Sequence, residues 1–293
     1  FDHQRASLVL GFTITAGNVP QADSIHTYQT DFPSLAGRQE EMRQKITQSL
    51  DYAKNAVPVV PGTYTCVFSP VTAGVFAHES FGHKSEADLM LGSETMMQEW
   101  AIGTQVGSPI LNILDSGLPE GSGYVPYDDE GTRTRTTYLI HNGILTGRLH
   151  SAATAALLNE EVTGNARAIN FSYEPIVRMT ATYIGGGELT LEELLAPIEL
   201  GVYIHDFNHG SGMSTFTIAP NKAYMIRNGK LAEPVRISVV TGSVMHTLHE
   251  IDGLTKDVKV CSLSTGGCGK MEQWPLRVAF GGPYLRVRGL KVQ

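Results

Sequence analysis

Tyr138-Leu-Ile-His-Asn-Gly-Ile-Leu145 sets the character of the fold. Asn142-Gly143 lies between alternating residues and predicts a β-hairpin with a type I′ turn, because both turn positions need positive φ. The same grammar recurs in Tyr224-Met-Ile-Arg-Asn-Gly-Lys-Leu231. Two copies do not make a solenoid, but they predict a β-rich body. Outward from them, residues 63–69 alternate like a strand, 70–74 read as a turn, and 257–261 alternate again. Short helices are expected at 151–159, 190–195 and 243–251. Ahead of this body, residues 5–15 read as a strand. Residues 39–56 have helical spacing, with Met42, Ile46, Leu50 and Ala53 on one face. Two prolines within 57–62 break that helix and mark a boundary. The expected class is α+β, with the end of a small N-terminal α/β region over 1–57 and a β-rich domain with short helices over 58–293.

The 293 residues suffice to bury a large core in one or two domains. The formal charge is −7, with no basic run and no interleaving of arginine and aromatic residues, so nucleic acid is not an expected partner. No apolar stretch is long enough to span a bilayer, so no membrane association is expected. Three cysteines without a framework spacing point to a reducing, cytoplasmic setting. The chain starts at Phe1 rather than methionine, which reads as an internal start.

The chemistry concentrates in Ala77-His78-Glu79-Ser80-Phe81-Gly82-His83. Neutral imidazoles are good zinc ligands, and a neighbouring glutamate can act as general base toward water. In the familiar H-E-x-x-H pattern the histidines are four apart on one helical face. Here they are five apart, which on a regular α-helix separates them by roughly 140° and prevents a shared metal. A π-type bulge, or a helix that stops at Gly82, would reunite them, so a widened turn over Ser80–His83 is predicted. Glu86 and Asp88 follow closely. They read either as acceptors orienting the histidines, with Glu86 also able to ligate, or as a solvated acidic turn.

A hydrolytic zinc site needs a third protein ligand and one open position. Cys66 lies on the alternation of Tyr64 and Phe68 and reads as packing. Cys261 is ambiguous. Cys268 sits in Thr265-Gly-Gly-Cys-Gly-Lys270, where glycines let backbone bring a thiolate close to a metal. Spacing alone does not choose among them. Asp128-Asp129-Glu130-Gly131 suits either a hard cation or, more simply, a solvated turn. His246 and His249 read as surface residues, and His209 as a loop residue that is a weak candidate for contacting a peptide. Ser211 and Ser214 lack a G-x-S-x-G setting.

Residues 74–88, G-V-F-A-H-E-S-F-G-H-K-S-E-A-D, resemble the metal-binding signature of the TldD/PmbA family on its TldD side. The likeness extends through Asp128–Thr132, 138–151, 175–182, Cys268-Gly-Lys-Met-Glu-Gln273 and 283–287. It implies a zinc-dependent metallopeptidase acting on short or unfolded peptides, with His78, His83 and Cys268 as Zn²⁺ ligands and Glu79 as general base. Residues 58–293 would then be the metal-binding catalytic domain. The resemblance also implies a dimer, formed with itself or with a PmbA-type subunit, and a chain that is the C-terminal portion or a truncated form of a longer protein. Glu272 replaces a family glycine, and Trp274 and Arg277 add bulk beside the implied ligand. Two other readings remain open. One is a peptide-binding or assembly subunit whose metal site is closed by Glu86 or Cys261. The other is a subunit whose histidines merely pack.

Overall fold

The computed structural model describes residues 5–16 and 19–293, so the reading of Phe1 lies outside the described residues. Both expected hairpins form. Asn142 and Gly143 have φ of 50° and 78°, and Asn228 and Gly229 have 49° and 75°, the positive pairs a type I′ turn requires. The first hairpin belongs to a six-stranded sheet ordered Lys259–Ser262, Ala279–Gly282, Ala181–Ile184, Ile113–Ser116, Thr136–His141, Ile144–Leu145. The second belongs to a sheet that closes on itself. Leu200–Gly212 pairs in parallel with Gly62–Phe68 and antiparallel with Thr215–Arg227. Leu285–Val292 and Val240–Ser243 complete the ring. Closure satisfies the edge hydrogen bonds that an open sheet would expose. The architecture is α+β, as expected.

Between the two sheets runs a helix, Pro70–Ala77, where a turn was expected. The residues explain both the expectation and its failure. Ser69 caps the helix, its Oγ accepting from the Thr72 N–H at 3.3 Å, and Pro70 occupies the first turn, where a missing N–H costs nothing. Every helical residue except Val71 is buried, so the segment shows no amphipathic period by which a sequence reveals a helix. Phe76 packs edge-on against Phe68 and Phe216, with ring centroids 6.0 and 5.0 Å away. The helix touches Lys259–Ser262, Ala279–Gly282 and Ala181–Ile184 on one side and Leu200–Gly212 on the other. The short helices Ala152–Leu158, Leu191–Leu195 and Val244–His249 fall within their expected spans, the first two opened by capping boxes at Ser151 and Thr190. Among the described residues no helix is long and apolar enough to cross a membrane.

At the N-terminal end, strands Ala6–Ala16 and Val19–Gln29 pair antiparallel and pack with the helix Gln39–Asn55. The helix is where its spacing predicts, but it turns a different face inward. Ser49 and Tyr52 are buried, whereas Ile46 and Leu50 are 38% and 36% exposed. Polar bonds govern this docking. Asp23 accepts from Ser49 Oγ at 2.9 Å and lies 3.0 Å from Lys45 Nζ, and the fully buried Lys222 donates to it from strand Thr215–Arg227. The Tyr52 hydroxyl donates to the Val235 carbonyl at 2.7 Å.

Burial alone would raise the Asp23 carboxyl, but Lys222 and Lys45 outweigh it and hold it below its ordinary range. A carboxyl lowered in the folded state contributes stability above its unfolded value of about 3.9, and that stability is lost as pH falls through the folded value. Asp23→Asn is therefore expected to cost about 3–5 kcal/mol at pH 7 by leaving Lys222 buried without its counter-charge. The deficit should shrink when urea unfolding is repeated in acid below the folded value. An equal deficit at both pH values would assign the loss to packing.

Candidate metal centre

The helix Pro70–Ala77 does not stop at its last α-helical residue but widens. Residues His78–Gly82 form a single π-helical turn, and the His83 N–H donates to the His78 carbonyl five residues back. This is the turn that the histidine spacing predicts. It brings the two imidazoles edge to face at a centroid separation of 5.2 Å. A tight turn, His83–Ser85, follows directly. Gly82 makes the widening sterically possible, because a Cβ there would lie 2.1 Å from the Met179 sulfur. On the other flank, Phe81 packs against Trp100 with ring centroids 5.2 Å apart, and Lys84 lies 4.8 Å above the Trp100 ring.

Cys268 reaches the histidines from a far part of the chain. Its hairpin pairs Cys268–Lys270 with Gln273–Leu276 and is pinned from beneath by Arg178, which is fully buried. The guanidinium donates to the Cys268 carbonyl at 2.8 Å and the Gln273 carbonyl at 3.4 Å. Gln273 fixes the hairpin's other side, accepting from the Ile169 N–H at 3.2 Å and donating to the Glu174 carbonyl at 2.9 Å. Cys268 Sγ then lies 3.2 Å from His83 Nε2.

One ligand atom each from His78, His83 and Cys268 lies within 4.8 Å of the others, and this is the one such His/Cys/Asp/Glu group among the described residues. The donor set fits a borderline-soft ion. Tetrahedral zinc with bonds of about 2.0–2.3 Å spaces its donors at roughly 3.5 Å, close to the observed sulfur–nitrogen approach. His78 Nδ1 is buried without a hydrogen-bond partner. His83 is oriented from behind, its Nδ1 lying 3.1 Å from Glu86 Oε2, which leaves Nε2 facing the sulfur. Burial alone would raise the Cys268 thiol, but His78 and His83 bring it down to about 5. Burial opposes the charged form of His83, yet Cys268 and Glu86 raise it to about 10. Metal binding at a cluster of this kind would release protons.

Glu79 lies within the π-turn, half-buried, and among the described residues its carboxylate forms no hydrogen bond or ion pair. The strand end 210–212 lies on this turn. A Cβ on Gly212 would come within 2.9 Å of the Glu79 carbonyl, and one on Gly210 within 3.5 Å of Glu79 Cγ. His209, expected in a loop, belongs to strand Leu200–Gly212 and is exposed. Strand alternation directs its side chain away from the face on which Gly210 meets Glu79, and it stands outside the cluster. The Gly/Ser content of 209–214 reads as a loop, but the cross-strand pairing of 209–212 with 216–219 overrides it.

The remaining candidates have other work. Cys66 is fully buried, and burial raises its thiol. Cys261 lies on strand Lys259–Ser262, outside the cluster. Asp128 accepts from the Glu130, Thr132 and Ala166 N–H groups at 2.8–3.1 Å. Asp129 and Glu130 accept from the Ala168 and Ala152 N–H groups, both at 2.8 Å, so the acidic run pins loops together. Sequence reasoning passed over Arg178 and Lys270 as part of the site. The available signal was a cation within Ile176-Val177-Arg178-Met179 and another two residues after Cys268.

Comparison with known proteins places the chain among relatives. A model of the PmbA/TldA metallopeptidase C-terminal domain matches residues 61–293. A metalloprotease of Synechocystis sp. is 42% identical over 261 residues, 87% of this chain and 56% of the relative. A zinc metalloprotease TldD homolog of Saccharolobus solfataricus is 34% identical over 235 residues, 79% and 52% of the two chains. The chain spans about half the length of these curated relatives. The crystal structure of TldE from Thermococcus kodakarensis shares the fold, with a TM-score of 0.77 at 19% identity over 98% of this chain and 62% of that one.

Gly82→Ala should cost about 1–3 kcal/mol in chemical unfolding, because the new methyl overlaps the Met179 sulfur. Adding Met179→Ala should recover part of the specific clash. Wild-type stability for Gly82→Ala alone would show that the turn has room to relax.

Proposed function

The chain belongs to the PmbA/TldA metallopeptidase family, and from that premise we propose that it forms the catalytic part of a zinc-dependent peptidase acting on short or unfolded peptides. The observation that carries this reading is the convergence of His78, His83 and Cys268 within 4.8 Å, with Glu79 in the same turn as both histidines. In the proposal these three side chains hold Zn²⁺, residues 58–293 are the metal-binding unit, and 1–57 are the end of a preceding one. When bound there, zinc supplies a Lewis acid that polarises a peptide carbonyl and brings the pKa of water toward about 7. Glu79, free of competing partners among the described residues, accepts the proton of the attacking water and returns it to the leaving amine.

Three protein donors leave a coordination position open, as hydrolytic sites require. Neither Glu86 nor Cys261 joins the cluster, which favours this reading over a closed structural site. An extended peptide laid along a strand edge is the proposed substrate form, since main-chain pairing tolerates varied side chains. Three cysteines, none in a disulfide, support a reducing, cytoplasmic location. The proposed assembly is a dimer, of this chain with itself or with a PmbA-type subunit.

Protein purified without added metal or chelator is expected to contain about one zinc per chain by elemental analysis. His83→Ala should lose it. Glu79→Gln should keep the metal and lose peptide hydrolysis by about 10²–10⁴-fold. Retained hydrolysis in Glu79→Gln would remove that residue from the mechanism. Failure to retain zinc even after it is added back would favour the assembly-subunit reading.

A further inference from the structure

Glu86 is fully buried, and its two oxygens are treated differently. Oε2 is shared between His83 Nδ1, at 3.1 Å, and Lys270 Nζ, at 3.2 Å. Oε1 is buried with no hydrogen-bond partner. Lys270, itself buried, also reaches Asp88 Oδ1 at 2.6 Å and the Val177 carbonyl at 2.8 Å. The ammonium thus donates to Asp88 and the Val177 carbonyl and is ion-paired with Glu86, so the lysine is held from three sides. Cys268 and Lys270 are two apart on one strand, which puts both side chains on the face toward the π-turn. Glu86 is three residues beyond His83. The Lys270–Glu86 pair therefore ties the segment carrying one candidate ligand to the segment carrying another.

We propose that Lys270 is a positioning residue of the metal centre, acting through Glu86. By holding Oε2 it aims the carboxylate at His83 Nδ1, which turns Nε2 toward Cys268 Sγ. By the same contact it keeps the buried carboxylate out of the ligand set, so that a site of three protein donors stays open. This inference rests on the reading of His78, His83 and Cys268 as ligands, and it adds a residue that is neither a ligand nor in contact with substrate. The carboxylate alone, without its cation, is free either to let the imidazole rotate or to compete for the ion.

The test is the affinity of the chain for Co²⁺, measured by competition with a chromophoric chelator and by the sulfur-to-cobalt absorption band that reports Cys268. Lys270→Met and Lys270→Gln are expected to weaken binding by about 10–100-fold, the effect usual for groups that orient metal ligands. Glu86→Gln should weaken it comparably. In the Glu86→Gln background, Lys270→Met should add less than about threefold, because the lysine has lost the group through which it acts. An additive loss there would overturn the proposal, showing that Lys270 serves the hairpin independently of Glu86. Wild-type affinity in both neutral lysine variants would also overturn it, as would a lost far-UV signal in both metal-free variants, which would make Lys270 a folding residue. A wild-type chain that takes up no Co²⁺ would overturn the metal reading and this inference together, whereas normal wild-type uptake with unchanged lysine variants would overturn this inference alone.

Discussion

The hydrogen bond from the His83 N–H to the His78 carbonyl is the constraint around which the candidate site is organised. One extra residue in a helical turn is unfavourable in isolation, and it persists only where the surroundings over-determine it. Here the surroundings do so from several sides. The Met179 sulfur lies against the bare Cα of Gly82, the strand end at Gly212 lies against the Glu79 carbonyl, and the Phe81 ring packs against Trp100. A regular helix would splay the imidazoles by roughly 140° and leave Cys268 facing a single histidine.

The second organising feature is the use of buried charge. Arg178, Lys222, Lys270 and Glu86 are all removed from solvent, an arrangement that is costly unless each group is paired and hydrogen-bonded. Each of these charges joins segments distant in sequence. Lys222 ties the N-terminal strands and helix to the closed sheet through Asp23, while Arg178 and Lys270 hold the Cys268 hairpin. Apolar packing brings the two sheets onto the helix Pro70–Ala77, and these directional contacts then set where the thiol sits relative to the imidazoles. Non-directional burial cannot set that position to within a bond length.

Local patterns were legible wherever a residue's own backbone preference decided its structure. The two Asn-Gly turns needed positive φ and found it, and the five-residue histidine spacing translated directly into a widened turn. Legibility failed where burial erased the pattern. The helix Pro70–Ala77 is apolar on all sides and read as a turn from its proline and glycine. The helix Gln39–Asn55 lies where its spacing predicts, but hydrogen bonds from Ser49 and Tyr52 and the Lys45–Asp23 pair, rather than its apolar stripe, orient it. His209 reads as a loop residue because cross-strand pairing leaves little trace in a Gly/Ser-rich segment.

The amino-acid sequence alone determined the hairpins, the class of fold, the widened turn and the pairing of His78 with His83, because each depends on dihedral preferences or spacings within a few residues. The choice of Cys268 over Cys261 and Cys66, 185 residues from His83, followed only from family likeness at the level of sequence and became geometric only in the folded chain. The roles of Arg178 and Lys270, and of Glu86 as an acceptor for His83 rather than part of the cluster, were decided by tertiary structure. The physical reason is that a buried charge is positioned by whichever opposite charge or carbonyl the packing of the two sheets brings within about 3 Å, and residue spacing carries no record of that distance.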